Sequence, residues 1–271
     1  EFRRVLFRST LNEEVNHLKL PDQVKLLPNV PEAIRTLNLA GILAVVVTNQ
    51  PVIARGDVSL DGMNGIHSRI DWLLGREGAY LDRLYFCPHH PDAGYSGEVA
   101  ELKVACNCRK PETGLIDLAV NTLNIDRRKS WLIGDSTSDL LAGQRAGLKT
   151  ILVKSGYAGR DFKYEVEPNF VANDLQEGVN WALSGFSKLM TKLMPIAIKN
   201  LNARLLLIGG PSRSGKSTAA NVISELFNDL GRNVSLVRCD DWLMPKRERV
   251  EGFGVASRYL MEELFSFVGT A

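Results

Sequence analysis

The sequence predicts an α/β fold: a parallel, Rossmann-like sheet covered by helices, followed by the start of a second α/β domain. Three observations carry this. Short apolar runs alternate with amphipathic helical stretches along the chain, the pattern of strand–helix–strand crossovers. Ile42 to Val47 is continuously apolar and β-branched, as expected of a strand buried on both faces. The 271 residues are 45% hydrophobic and 24% charged, enough chain and enough apolar surface for one or two globular domains.

Taken in order, Pro31 to Leu39 reads as a helix, with proline at an early position and Gly41 as its stop. The strand Ile42 to Val47 follows, then a helix over Asp61 to Leu74 and a short strand over Arg83 to Phe86. Beyond a loop rich in Cys, Gly and Pro come a helix (Gly114 to Leu123) and a strand (Ser130 to Ile133). Ser136 to Ala146 (helix), Thr150 to Val153 (strand) and Asp174 to Leu183 (helix) complete the first block. A linker is expected over 185–202, within which Lys188 to Ile198 has helical character. The second block, 203–271, opens with a strand (Arg204 to Ile208), a helix (Gly215 to Leu230) and a strand (Asn233 to Val237). Some 70 residues are too few for a whole nucleotide-binding domain of roughly 150, so a truncated one is expected there.

Residues 1–9 are similar to the conceptual translation of a sequencing-library adapter. On that likeness they are set aside as an artefact, and the first domain is taken as 10–184. Three Arg and one Glu in this segment account for the whole formal net charge of +2. The plainer reading is a basic amphipathic N-terminus.

Composition excludes several classes. No run of 18 apolar residues exists, so a membrane span is not expected, and no secretory signal is recognisable, which predicts a cytoplasmic protein. Net charge near zero argues against a nucleic-acid partner. Three of the four cysteines fall between positions 87 and 108, a clustering that favours metal over disulfides.

Cys87, His89, Cys106 and Cys108 form a Cys₃His set suited to tetrahedral structural Zn²⁺, with His90 as the alternative imidazole. Both pairs are spaced i, i+2, and the Gly-rich stretch between them is one that a metal would pin. Reduced, packed cysteines are the plain alternative.

Thr48 and Asn49 follow one buried strand, Asp135 follows another, and Lys110 follows the cysteine loop. Strand carboxyl ends are where open α/β sheets bind ligands. A hydroxyl, an ammonium and a carboxylate at that edge can hold a phosphate beside Mg²⁺. Singly, each is as readily a helix cap.

Together, Val45-Val46-Val47-Thr48-Asn49-Gln50, Cys87-Pro88-His89-His90-Pro91, Cys106-Asn107-Cys108-Arg109-Lys110-Pro111 and Ile133-Gly134-Asp135 resemble the haloacid dehalogenase superfamily phosphatases. Within them the likeness is to the subgroup acting on D-glycero-D-manno-heptose 1,7-bisphosphate and histidinol phosphate, over Thr10 to about Asp161. The resemblance implies that Thr48 and Asn49 bind phosphate and that Lys110 stabilises the phosphoryl group. It implies that Asp135 ligates Mg²⁺, that Gln50 and Arg109 contact a sugar phosphate, and that Asn12 to His17 lie in the substrate loop.

Two departures matter. The family opens with Asp-x-Asp-Gly-Thr, nucleophile first and general acid/base second. Counting back from Thr10 puts these at Leu6 and Arg8, and neither side chain can do that chemistry. The chain as it stands is therefore expected to be inactive. Pro51-Val52 also replaces the Ser-Gly usual in relatives, leaving specificity open.

Gly210-Pro211-Ser212-Arg213-Ser214-Gly215-Lys216-Ser217 fits the phosphate-binding P-loop pattern. Gly210 and Gly215 would shape the loop, Lys216 would reach the β/γ oxygens of ATP, and Ser217 and Thr218 would offer hydroxyls. Cys239-Asp240-Asp241-Trp242 resembles the uridine kinase and phosphoribulokinase group, whose Asp here meets the acceptor hydroxyl, so Asp240 and Asp241 are candidates. A solvated strand end is the plain alternative. Kinase activity of this fragment is not expected. Three functions compete: a sugar-phosphate phosphatase with a small-molecule kinase portion, a nucleic-acid end-processing kinase/phosphatase, and a non-catalytic, zinc-ordered phosphate-binding module.

Overall fold

The structure is a computed structural model that describes residues 5–8, 11–13, 18–209 and 216–236. The chain divides into two compact units, residues 1–188 and 189–271.

The first unit holds a six-stranded sheet with every pairing parallel: β1 (Val5–Arg8), β2 (Leu43–Asn49), β3 (Arg83–Cys87), β4 (Trp131–Gly134), β5 (Lys149–Val153) and β6 (Phe170–Ala172). The spatial order is β3-β2-β1-β4-β5-β6. The chain winds outward from β1 in both directions, so the switch point lies at the carboxyl ends of β1, β2 and β4. This is the parallel α/β architecture expected from the alternating pattern.

Alternation along β2 splits the core in two. Ala44 and Val46 join Val30, Ile34, Met63, Ile70 and Leu175 on one face. Leu43, Val45 and Val47 join Leu115, Ile116, Leu132 and Ala142 on the other. Both faces are apolar because both are covered. Helix α1 (Val30–Leu39) buries Val30, Ala33, Ile34 and Leu37, one helical stripe. A four-residue helix, α2 (Pro51–Ala54), follows β2 directly. Helix α3 (Leu60–Arg76) starts where Ser59 Oγ accepts the Gly62 amide and buries Met63, Ile66, Ile70 and Leu74. Helices α4 (Gly114–Leu123), α5 (Thr137–Arg145) and α6 (Leu175–Asn180) complete the unit.

Several expectations need correction. Residues 1–9 were set aside, yet Val5–Arg8 forms the central strand between β2 and β4. Without it those two strands would face an unpaired gap. Val5-Leu6-Phe7 is an apolar run of the residue types that favour strands. Helix α2 and strand β6 were not foreseen. Both are very short and have no periodicity to read. The helix expected over Asp174 to Leu183 ends at Asn180 and continues as a π turn over Trp181–Gly185.

The stretch read as a linker is largely helix α7 (Phe186–Lys199), as the helical character of Lys188 to Ile198 suggested. In the second unit, helix α8 (Lys216–Asp229) begins within one residue of expectation. Val222, Ile223, Leu226 and Phe227 are buried along it. Residues 204–208 and 233–236, read as strands, form none. A strand exists only by pairing, and no neighbour pairs with these segments among the described residues. No helix among the described residues is long and apolar enough to cross a membrane.

Candidate functional site

Thr48, Lys110 and Asp135 are carried to the sheet's carboxyl edge by three different segments. Thr48 is the penultimate residue of β2, Asp135 follows β4, and Lys110 lies between the cysteine loop and α4. Lys110 is 6% exposed. Its ammonium donates to Val47 O at 2.8 Å and pairs with Asp139 Oδ1 at 2.6 Å. The backbone of Lys110 is held as well. Its N–H donates to Asn49 Oδ1 at 3.0 Å, and Asn49 Nδ2 donates back to Lys110 O at 3.1 Å. The Asn49 side chain, expected to bind phosphate, thus positions the lysine. Gln50 Nε2 lies 3.4 Å from Thr48 Oγ1, and the Gln50 amide donates to Cys87 O at 2.8 Å.

Asp135 and Asp139 flank the start of α5. Ser136 caps that helix by accepting the Asp139 amide at 3.2 Å, and Asp139 Oδ2 accepts the Ser136 hydroxyl at 2.7 Å. Asp139 thereby serves two partners, Ser136 and Lys110. The sequence reading gave Asp139 no role, although its spacing four residues after Asp135 was the available signal. Asp135 Oδ2 accepts the Tyr157 amide at 2.8 Å, and Asp135 O accepts that of Gly159 at 2.7 Å. Magnesium needs one or two carboxylates, with waters and phosphate oxygens completing its shell. Asp135 fits as one such carboxylate. Positions 6 and 8 supply none.

The register of β1 bears on those positions. Leu6 stands beside Ala44 and Trp131, whereas Thr48 and Asp135 each lie four residues further along their segments. Arg8 stands beside Val46 and Ile133. Counting back from Thr10 therefore does not bring position 6 level with the site. Asn12 Oδ1 accepts the Lys25 amide at 2.6 Å, tying the segment after β1 to residues 25–27. Residues 14–17 of the expected substrate loop lie outside the described residues.

The four metal-ligand candidates do converge. Donor atoms of Cys87, His89, Cys106 and Cys108 lie within 4.8 Å of one another. Sulfur–sulfur separations are 3.5, 3.0 and 3.3 Å, and His89 Nδ1 is 3.7 and 3.3 Å from Cys87 and Cys108. A zinc tetrahedron with bonds near 2.3 Å has sulfur–sulfur edges of about 3.8 Å, so the set needs little adjustment. Burial pushes the Cys87 thiol well up, with the Cys108 hydrogen bond adding to it. Burial also raises Cys108. Cys106 is below its ordinary value: burial opposes this, but hydrogen bonds from Cys108 and Cys87 and backbone N–H groups outweigh it. Three packed thiols resist ionising together, and a divalent cation is what relieves them.

His90, the alternative imidazole, has both ring nitrogens engaged elsewhere, while His89 lies among the thiols. Its Nδ1 accepts the Asp92 amide at 3.3 Å, and its Nε2 lies 3.4 Å from an Arg55 nitrogen. Burial lowers its pKa, with Arg109 and Arg55 contributing. The Arg109 guanidinium donates to His89 O at 3.2 Å, joining the metal cluster to the segment that carries Lys110.

In the second unit, Lys216 and Thr218 lie in the first turn of α8. Ser217 belongs to the same turn. Gly210, Gly215, Asp240 and Asp241 lie outside the described residues.

The HAD-hydrolase-like family model matches residues 107–178. The D-glycero-beta-D-manno-heptose-1,7-bisphosphate 7-phosphatase of Pasteurella multocida (strain Pm70) is 40% identical over 148 residues, which is 54% of this chain and 78% of that one. The D-glycero-D-manno-heptose-1,7-bisphosphate 7-phosphatase of Thermosynechococcus vestitus is 33% identical over 178 residues, 63% of this chain and 89% of the relative. Among solved structures, the D,D-heptose 1,7-bisphosphate phosphatase from B. bronchiseptica, complexed with magnesium and phosphate, aligns with a TM-score of 0.59 and 29% identity. It covers 68% of this chain and 99% of that chain. With these relatives and the sheet-edge geometry, the chain belongs to the haloacid dehalogenase-like phosphatases of the D-glycero-D-manno-heptose 1,7-bisphosphate phosphatase type, phosphoric monoester hydrolases by family.

Proposed function

We propose that the first unit is a site for a sugar bisphosphate of the D-glycero-D-manno-heptose 1,7-bisphosphate kind. The observation that carries this is the Lys110 ammonium, buried and fixed between Asp139 and Val47 O at the strand ends that carry Thr48 and precede Asp135. A cation so held pays no ordering cost when a phosphoryl group arrives. Thr48 offers a hydroxyl to that group, and Gln50 and Arg109 contact the sugar phosphate. Asp135 would offer a carboxylate to Mg²⁺, whose chemistry would be to neutralise phosphate charge. Zn²⁺ at Cys87, His89, Cys106 and Cys108 is structural: it fixes the loop whose end delivers Arg109 and Lys110. The activity of the similar heptose bisphosphate phosphatases and the expected cytoplasmic location are consistent with this.

Turnover by this chain is not proposed. Leu6 and Arg8 supply neither a nucleophile nor a proton carrier, so binding without hydrolysis is the expected behaviour. For the second unit, binding of ATP phosphates at Gly210 to Thr218 is supported by the helix that starts at Lys216. Asp240 or Asp241 would face an acceptor hydroxyl.

Isothermal titration with inorganic phosphate in Mg²⁺ tests the first reading, alongside phosphate-release assays on a heptose bisphosphate and a 3′-phosphorylated oligonucleotide. Saturable phosphate binding without release is the expected result. Release from the oligonucleotide would replace the sugar-phosphate reading with the nucleic-acid one, and release from the sugar would overturn the predicted inactivity.

A further inference from the structure

We propose that Asp161 is a positioning residue for the Asp135 carboxylate, acting through Thr137 and the loop over residues 155–164. The proposal rests on the phosphatase reading, in which Asp135 faces metal and phosphate.

The loop grips the Asp135–Thr137 segment at both ends. At one end, the Tyr157 amide donates to Asp135 Oδ2 at 2.8 Å and the Gly159 amide to Asp135 O at 2.7 Å. At the other, Asp161 takes both donors of Thr137: the amide at Oδ1, 2.8 Å, and the hydroxyl at Oδ2, 2.7 Å. The Tyr164 amide then donates to Thr137 Oγ1 at 3.3 Å. Asp161 thus anchors the loop to the start of α5 with two charge-assisted bonds.

The loop needs an anchor. Gly156, Ala158, Gly159 and Phe162 all have positive φ, at 70°, 54°, 75° and 44°. Ala158 and Phe162 hold a left-handed conformation that residues with a Cβ adopt only when their surroundings impose it. The fit at Asp135 is also close. A Cβ on Gly156 would collide with Asp135 Oδ2, so the loop backbone sits directly against the carboxylate. With Asp161 gone, Thr137 loses both acceptors, the loop relaxes toward ordinary dihedrals, and the two amides leave Asp135. A carboxylate at a helix N-terminus is stabilising in any protein. What exceeds that role is the link through the loop backbone from Asp161 to the amide that holds Asp135 Oδ2.

The test uses the full chain with Asp161→Ala, Asp161→Asn and Gly156→Ala. Amide hydrogen exchange is followed residue by residue, and inorganic phosphate is titrated in the presence of Mg²⁺. In Asp161→Ala, the Tyr157 and Gly159 amides are expected to exchange about tenfold faster or more, and phosphate affinity to fall by a similar factor. Protection in β2 and β4 should stay as it is. Asp161→Asn keeps one acceptor and should recover part of both effects, while Gly156→Ala should weaken phosphate binding by displacing Asp135 directly. Unchanged exchange at Tyr157 and Gly159 in Asp161→Ala would overturn the proposal. So would an equal loss of protection across β2 and β4, which marks a general stability role. If the unsubstituted chain binds no phosphate, the phosphatase reading fails, and the exchange measurement alone then decides on Asp161.

Discussion

Lys110 Nζ lies 2.6 Å from Asp139 Oδ1, and both side chains are almost wholly removed from solvent. An ion pair at such depth is held by geometry more than by net energy, because desolvation of both charges offsets most of their attraction. Its use is to hold an ammonium in place at the sheet edge. Removing one partner leaves the other charge buried alone.

Asp139→Ala should therefore destabilise the first unit by about 3–5 kcal/mol, whereas Asp139→Ala with Lys110→Met should recover much of that. Urea denaturation of the two variants measures it. Both should lose phosphate binding, since each removes or frees the ammonium. A double variant no more stable than the single would show that the pair is not the source of the loss.

The cysteine cluster makes a compositional prediction. Purified chain should carry close to one zinc per molecule by elemental analysis, and Cys106→Ser should lower both content and retention against a chelator. Because Gln50 N donates to Cys87 O and Arg109 to His89 O, phosphate binding should weaken with the metal loss. Full zinc loss with unchanged phosphate binding would separate the loop from the site.

His67 gives the fold a pH dependence. Its pKa is lowered by burial, and its ring packs on Phe86 at 5.2 Å. The folded state therefore binds the proton less well than the unfolded chain does. Its contribution is present above the unfolded value near 6.5 and is lost as pH falls through the lower folded value. Melting temperatures between pH 7.5 and 5 should show the decline, and His67→Leu should flatten it.

The N-terminal strand yields the sharpest contrast. Introducing Leu6→Asp, Arg8→Asp and Ser9→Gly should not give phosphatase turnover. For position 6 to come level with Thr48, β1 must slide by the four residues that separate Ala44 from Thr48. Such a slide would push Glu1, Arg3 and Arg4 into the central strand, where unpaired charges are costly. Replacing residues 1–9 by an apolar strand ending in Asp-x-Asp-Gly should restore turnover, because register follows the apolar pattern. A phosphate-release assay on the two versions decides the matter.

Much of the fold was legible because parallel strands and their helices have different periods. Ile42 to Val47 reads as a buried strand and Pro31 to Leu39 as a helix, and the structure places β2 and α1 within a residue or two of those bounds. The metal cluster was legible too, since four soft ligands in 22 residues have few other uses. What a local pattern cannot carry is pairing. It missed Phe170–Ala172, which is a strand only because β5 lies beside it, and it read residues 204–208 as a strand that nothing pairs.

The sequence by itself determined the alternating α/β order, the residue types at the strand ends and the Cys₃His set, because these follow from local chemistry and spacing. Only the tertiary structure decided that His89 and not His90 faces the thiols, and that Asn49 holds the Lys110 backbone. It also assigned Asp139 to the lysine and Val5-Leu6-Phe7 to the central strand. Each of these depends on which side chains and backbone groups meet across 19 to 125 residues of chain. Such meetings are fixed by burial and hydrogen-bond satisfaction in the assembled sheet, not by any segment alone.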